Sequence, residues 1–255
     1  MKTCLFCDNA AGSREHLFPV WILKRVGTRL IRGDVGHHKD RTFGREFTVK
    51  SVCGECNNGW MNRLEEANIP IMGPLIGDLS AFLEADAQAT IALWAVKTAM
   101  VLDSTTIDKK RPLFYSRAER LALGKNLEIP RGTAVWLGRS LIPHLRANST
   151  GAYYMIDKPI HVHRSKEPHP GHVSTIVVGN LALQVLTVNA PAEYSDGGVV
   201  VKPSPGPWDH LLIGIWPPSR QQYWPPPLAF DTHIPMLHIG LLTNRWKMGR
   251  ERVIF

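Results

Sequence analysis

Apolar positions recur with two periods along the chain, and together they predict most of its elements. From Pro19, a favoured first-turn residue, Ile22, Leu23, Val26 and Leu30 recur at helical spacing and predict a helix that stops at Gly33. Lys24, Arg25, Arg29 and Arg32 crowd the rest of that helix. Residues 43–52 alternate loosely through Phe43, Phe47, Val49 and Val52 and predict a strand. A short helix is expected from Asn57, with Trp60, Leu64 and Ala67 on one face, ending before Pro70. Pro70, Gly73, Pro74, Gly77 and Asp78 then mark residues 69–83 as a connecting segment. Residues 86–102 are apolar on most sides and predict a buried helix. Ser116 and Glu119 form a capping box that opens another helix, with Gly124 as its expected stop.

Beyond that point β signals dominate, at residues 133–138, 152–157, 173–178, 181–188 and 211–216. Gly179-Asn180 lies between two β-branched runs and reads as a hairpin turn. The Pro- and Trp-rich stretch 203–227 reads as loop or extended chain. The pattern therefore predicts an α+β protein. A small module at 1–68 and the connecting segment 69–83 precede a larger α+β domain at 84–255 with mainly antiparallel strands.

Composition narrows the class. The 255 residues are 44% hydrophobic and 20% charged, the mixture of a folded chain. No window reaches the roughly 20 apolar residues of a bilayer span; the best run, Ile91 to Leu102, contains Lys97. The N-terminus lacks the apolar stretch of a secretory signal. A cytoplasmic chain with reduced thiols and no membrane partner is expected.

The four cysteines carry the first chemistry. They form two Cys-x-x-Cys pairs, Cys4/Cys7 and Cys53/Cys56, and none follows. Two such turns complete a closed four-sulfur zinc site. A disulfide framework lacks a secretory signal to support it, and a redox motif would be a single pair beside a βαβ unit. A segment of about 70 residues buries too little surface to be comfortable alone, so a metal staple is physically expected there. Four thiolates fill the coordination sphere, which makes that zinc structural.

Between and beside the pairs lie Ser13-Arg14-Glu15-His16-Leu17-Phe18-Pro19 and Asn57-Asn58-Gly59-Trp60. Glu15 offers an anionic oxygen, and His16 is a base that titrates near neutrality. Asn57 or Asn58 offers an amide oxygen. Such donors suit Mg²⁺ or Mn²⁺. The ordered set Cys4-x-x-Cys7, Glu15-His16 with Pro19, and Cys53-x-x-Cys56-Asn57 resembles the HNH endonuclease family, over residues 1 to about 66. The resemblance implies a zinc-bound treble-clef (ββα-metal) module. It assigns Glu15 as a metal ligand, His16 as general base and Asn57 as the residue after the last cysteine. Residues Phe47–Ser51 hold no Asn where many members carry one. The amide ligand therefore falls on Asn57, Asn58 or Asn62, with His37 and His38 in the linking loop as further candidates.

Charge agrees with a phosphate-bearing partner. Of a net +8, residues 1–63 hold eleven Lys/Arg against six Asp/Glu. Arg14, Lys24 and Arg25 are the candidate phosphate contacts. The expected activity is metal-dependent hydrolysis of phosphodiester bonds, with DNA preferred to RNA as substrate. The C-terminal domain would select substrate, bind a protein partner or a second copy, or regulate access. The alternatives are a zinc-bound nucleic-acid-binding protein without cleavage, and a zinc-organised protein-interaction surface. His161 and His163 share a strand face near His169 and His172, but no Asp or Cys completes a metal set there.

Overall fold

A short antiparallel ribbon leads the chain, and its two strands are far apart in sequence. In the computed structural model, which describes residues 2–26, 48–105, 112–152, 171–188, 200–201, 210–231 and 253–254, β1 (Ser13–His16) pairs with β2 (Thr48–Val52). Glu15 lies opposite Val49 and His16 opposite Thr48. Helix α1 (Val20–Val26) begins just after Pro19, whose carbonyl accepts from the N–H groups of Ile22 and Leu23. The expected continuation to Gly33, His37 and His38, and residues 43–47 of the expected strand lie outside the described residues.

After the second cysteine pair the chain turns helical. A short α2 (Gly54–Cys56) opens into a wide π turn (Asn57–Met61) kinked at Gly59, and α3 (Asn62–Ile76) follows. The helix expected to end before Pro70 thus continues to Ile76, and the expected connecting segment 69–83 is helix followed by β3 (Ala81–Leu83). Proline removes a helical hydrogen bond, but here packing overrides it. Leu64, Met72, Leu75 and Ile76 are buried while Pro70 is exposed. The fully buried Asn68 donates to the carbonyls of Leu64 (2.8 Å) and Thr90 (3.3 Å), tying α3 to the next helix.

That helix, α4 (Ala85–Asp103), is buried on most sides, as its composition demands. It packs against α3 and against an antiparallel sheet of order β5–β4–β7, formed by β4 (Thr133–Ala152), β5 (Gly171–Val188) and β7 (Leu212–Trp216). A parallel two-residue pairing joins β6 (Val200–Val201) to β9 (Val253–Ile254). β3 pairs with β8 (Gln222–Trp224). The architecture is α+β with mainly antiparallel strands.

Two glycines act differently from expectation. Gly179-Asn180 is no hairpin turn: β5 runs through it, with Gly179 at φ +61°. A Cβ there would lie 2.6 Å from the Ile76 carbonyl oxygen, so only glycine lets α3 end against this strand. Helix α5 (Arg117–Asn126) starts with the expected capping box but passes Gly124 and ends before Leu127, which takes the left-handed conformation. Gly124 serves packing instead. A Cβ there would lie 2.3 Å from the carbonyl oxygen of Phe6, between the first two cysteines.

Buried side chains from Cys4 and Phe6 through α3 and α4 to the sheet form one continuous cluster. Among the described residues no helix is long and apolar enough to cross a membrane.

Candidate metal centre and its neighbours

The four thiols converge. The sulfur atoms of Cys4, Cys7, Cys53 and Cys56 all lie within 4.8 Å of one another. Sulfurs at the corners of a zinc tetrahedron with bonds of about 2.3 Å stand roughly 3.8 Å apart, so the four could hold a metal ion such as zinc with little movement. Backbone amides aim the sulfurs: Phe6 N–H (3.4 Å) and Cys53 N–H (3.2 Å) donate to Cys4 Sγ, and Cys56 N–H donates to Cys53 Sγ (3.4 Å). Burial pushes the Cys53 thiol up, but the Cys56 amide and the neighbouring thiols outweigh it and bring the group to about 7. Burial raises Cys56 and Cys7.

Neighbouring groups brace the two turns. The Leu5 N–H donates to the Ser51 carbonyl (2.9 Å), and Gly12 N–H to that of Val52 (3.0 Å). Asn9 Nδ2 donates to Glu55 Oε2 at 2.7 Å, joining one cysteine turn to the other. From α5, Arg117 donates to three carbonyls of the first turn, those of Cys4, Leu5 and Cys7.

The second turn also reaches β1. Asn57 Nδ2 donates to Ser13 Oγ (2.8 Å) and to the Arg14 carbonyl (3.1 Å). These two bonds occupy the amide nitrogen of Asn57. Asn58 is exposed beside it. His16 is half-buried at the end of β1. Arg14 and Lys24 are exposed, and so is Arg25, whose guanidinium lies over Gly73 of α3, where a Cβ would come within 2.7 Å.

Glu15 turns inward. Its Oε1 accepts from Lys97 Nζ at 3.2 Å, and the same ammonium donates to Glu65 Oε1 at 2.8 Å. Glu65 also accepts from Trp94 Nε1 on Oε1 (2.7 Å) and from Trp21 Nε1 on Oε2 (3.0 Å). Burial alone would push the Lys97 ammonium down, but Glu65 and then Glu15 outweigh it and raise it above its ordinary value.

The structure thus brings together the four cysteines, ties Asn57 to the strand of Glu15 and His16, and pairs Glu15 with Lys97. Sequence reasoning missed Lys97, Glu65, Trp21, Trp94 and Arg117. One signal was present: a lone lysine inside an otherwise apolar helix requires a buried carboxylate. Of the four histidines weighed as a second metal set, His172 is in the core, stacked on Phe114 and 3.7 Å from Asp103, and the others lie outside the described residues. Comparison of the chain with protein-family models, with curated proteins and with solved structures finds no match.

Proposed function

We propose that the chain is a metal-dependent endonuclease of the HNH type, with a zinc-bound treble-clef (ββα-metal) module at its N-terminus. The observation that carries the reading is the pair of hydrogen bonds from Asn57 to Ser13 and Arg14. It places the residue after the last cysteine beside the strand that bears Glu15 and His16. In this reading zinc on Cys4, Cys7, Cys53 and Cys56 fixes the helix start against the ribbon and does no chemistry.

Glu15 and the Oδ1 of Asn57, with Asn58 as a further candidate, are hard oxygen donors that fit Mg²⁺ or Mn²⁺. Such an ion, when bound, neutralises charge on the phosphate and its leaving oxygen. His16 takes the proton from the water that attacks phosphorus, and the P–O bond opposite breaks. Arg14, Lys24 and Arg25 hold flanking phosphates, and DNA is the preferred substrate. The test is nicking of supercoiled plasmid in Mg²⁺ or Mn²⁺ by wild type and by His16→Ala. Cleavage by the wild type and its loss in the variant support the reading; equal cutting removes His16 from it.

A second reading has its own observation. Glu15 is buried and already accepts from Lys97. A module that binds nucleic acid through its basic surface without cutting would not need that carboxylate free. Salt-sensitive binding with no cleavage in any divalent ion favours that reading.

A further inference from the structure

Four elements meet at a buried charge cluster whose signs do not balance. β1 contributes Glu15, α3 contributes Glu65, α1 contributes the Trp21 indole, and α4 contributes Trp94 and Lys97. Among the described residues one ammonium faces these two carboxylates, which leaves one negative charge over. The two carboxylates are not equivalent. Glu65 is nearer to Lys97, at 2.8 against 3.2 Å, and two indole N–H groups complete its shell. Glu15 has the longer contact and stands on the strand to which Asn57 is tied. A lysine buried only for stability needs one carboxylate, and Glu65 suffices. The second is a costly addition unless a cation completes it.

We propose that Glu65 is the counter-ion of Lys97, so that Glu15 keeps a surplus negative charge for a divalent cation. Glu65 thus cancels a charge that Lys97 would otherwise set against the metal. The proposal rests on the reading of Glu15 as an oxygen ligand.

The charges supply a test that a purely structural role does not pass. In Glu65→Gln, Lys97 neutralises Glu15. In the double variant Glu65→Gln/Lys97→Met, Glu15 alone restores the surplus. Binding of Mn²⁺ to the zinc-loaded full chain is measured from the electron paramagnetic resonance signal of the free ion, with zinc content and circular dichroism as checks of folding. Glu65→Gln is expected to bind Mn²⁺ roughly tenfold more weakly than wild type, and the double variant to return within about threefold of it.

Equal affinity in Glu65→Gln, or a double variant as weak as the single one, overturns the counter-ion role. If wild type nonetheless nicks plasmid and binds Mn²⁺, the nuclease reading stands without it. No Mn²⁺ binding by wild type overturns both. Where Glu65→Gln does not fold, Lys97→Met takes its place: Mn²⁺ binding about tenfold tighter than wild type supports the proposal, and equal or weaker binding overturns it.

Discussion

Arg117 donates from Nη2 to the carbonyl oxygen of Cys7 at 2.7 Å, so α5 grips the turn that carries the first thiol pair. Its Nη1 reaches the carbonyls of Cys4 (2.7 Å) and Leu5 (3.1 Å), and Asp8 pairs with Nη2. A planar guanidinium can hold three carbonyls of one turn at once, and the point charge of lysine cannot. Arg117→Ala is expected to lower stability by about 2 kcal/mol, and Arg117→Lys to recover only part. Thermal unfolding of the zinc-loaded protein checks this; an unchanged melting temperature would mean that the turn holds itself.

Removal of a metal ion from the four cysteines is expected to have a broader effect. The four thiols close on one another, and an ion held there would relieve their mutual repulsion as thiolates beyond what the backbone amides do. A strong chelator is expected to lower the melting temperature by about 10 °C or more. Protons compete with the ion for sulfur, so acidification from about pH 7 to pH 5 is expected to release zinc. A zinc-sensitive dye reads the release; a protein whose melting ignores chelator has no structural metal.

Lys97→Met leaves two buried carboxylates facing each other without a cation. The expected cost is about 3–5 kcal/mol. Its dependence on pH follows from the sign of the Lys97 shift. The folded ammonium titrates above the unfolded one, so its stabilisation is complete below the ordinary lysine range and fades only as pH rises beyond it. The stability gap between wild type and variant is therefore expected to be flat from about pH 8 to pH 9, where the carboxylates are ionised in both proteins. Denaturant titrations at several pH values measure it. A gap that closes within that range would assign the effect to another group.

Gly124→Ala tests how tightly α5 sits on the first cysteine turn. Alanine is the better helix former, so an exposed helix would gain from it. Here the new methyl would meet the Phe6 carbonyl at 2.3 Å, and backbone cannot move aside cheaply. A loss of about 1–3 kcal/mol is expected in place of the gain. A stabilised variant would show that the helix stands farther from the turn.

These contacts mark the limit of what the chain alone discloses. The cysteine pairs, the buried α4 and the Ser116–Glu119 cap were legible because each depends on residues close in sequence or on one dominant period. The course of α3 through Pro70 and Pro74 was not, because burial of Leu64, Met72 and Ile76 against distant elements overrides a local breaker. Gly124 and Gly179 looked like a stop and a turn, yet each answers to a backbone carbonyl far along the chain. Glu15 was read from its neighbour His16, while its bonded partner lies 82 positions away. Local motifs name candidate donors, and only long-range packing says what those donors touch.

In the proposed nuclease, His16, on the strand braced by Asn57, activates water for phosphodiester cleavage. The most direct measurement is the rate of plasmid nicking by zinc-loaded wild type and His16→Ala in Mg²⁺ or Mn²⁺, with matched zinc content and melting temperature. Metal-dependent nicking by wild type and a loss of about a hundredfold or more in the variant are expected. Equal rates in the two proteins, or no cleavage by wild type in either ion, would contradict it.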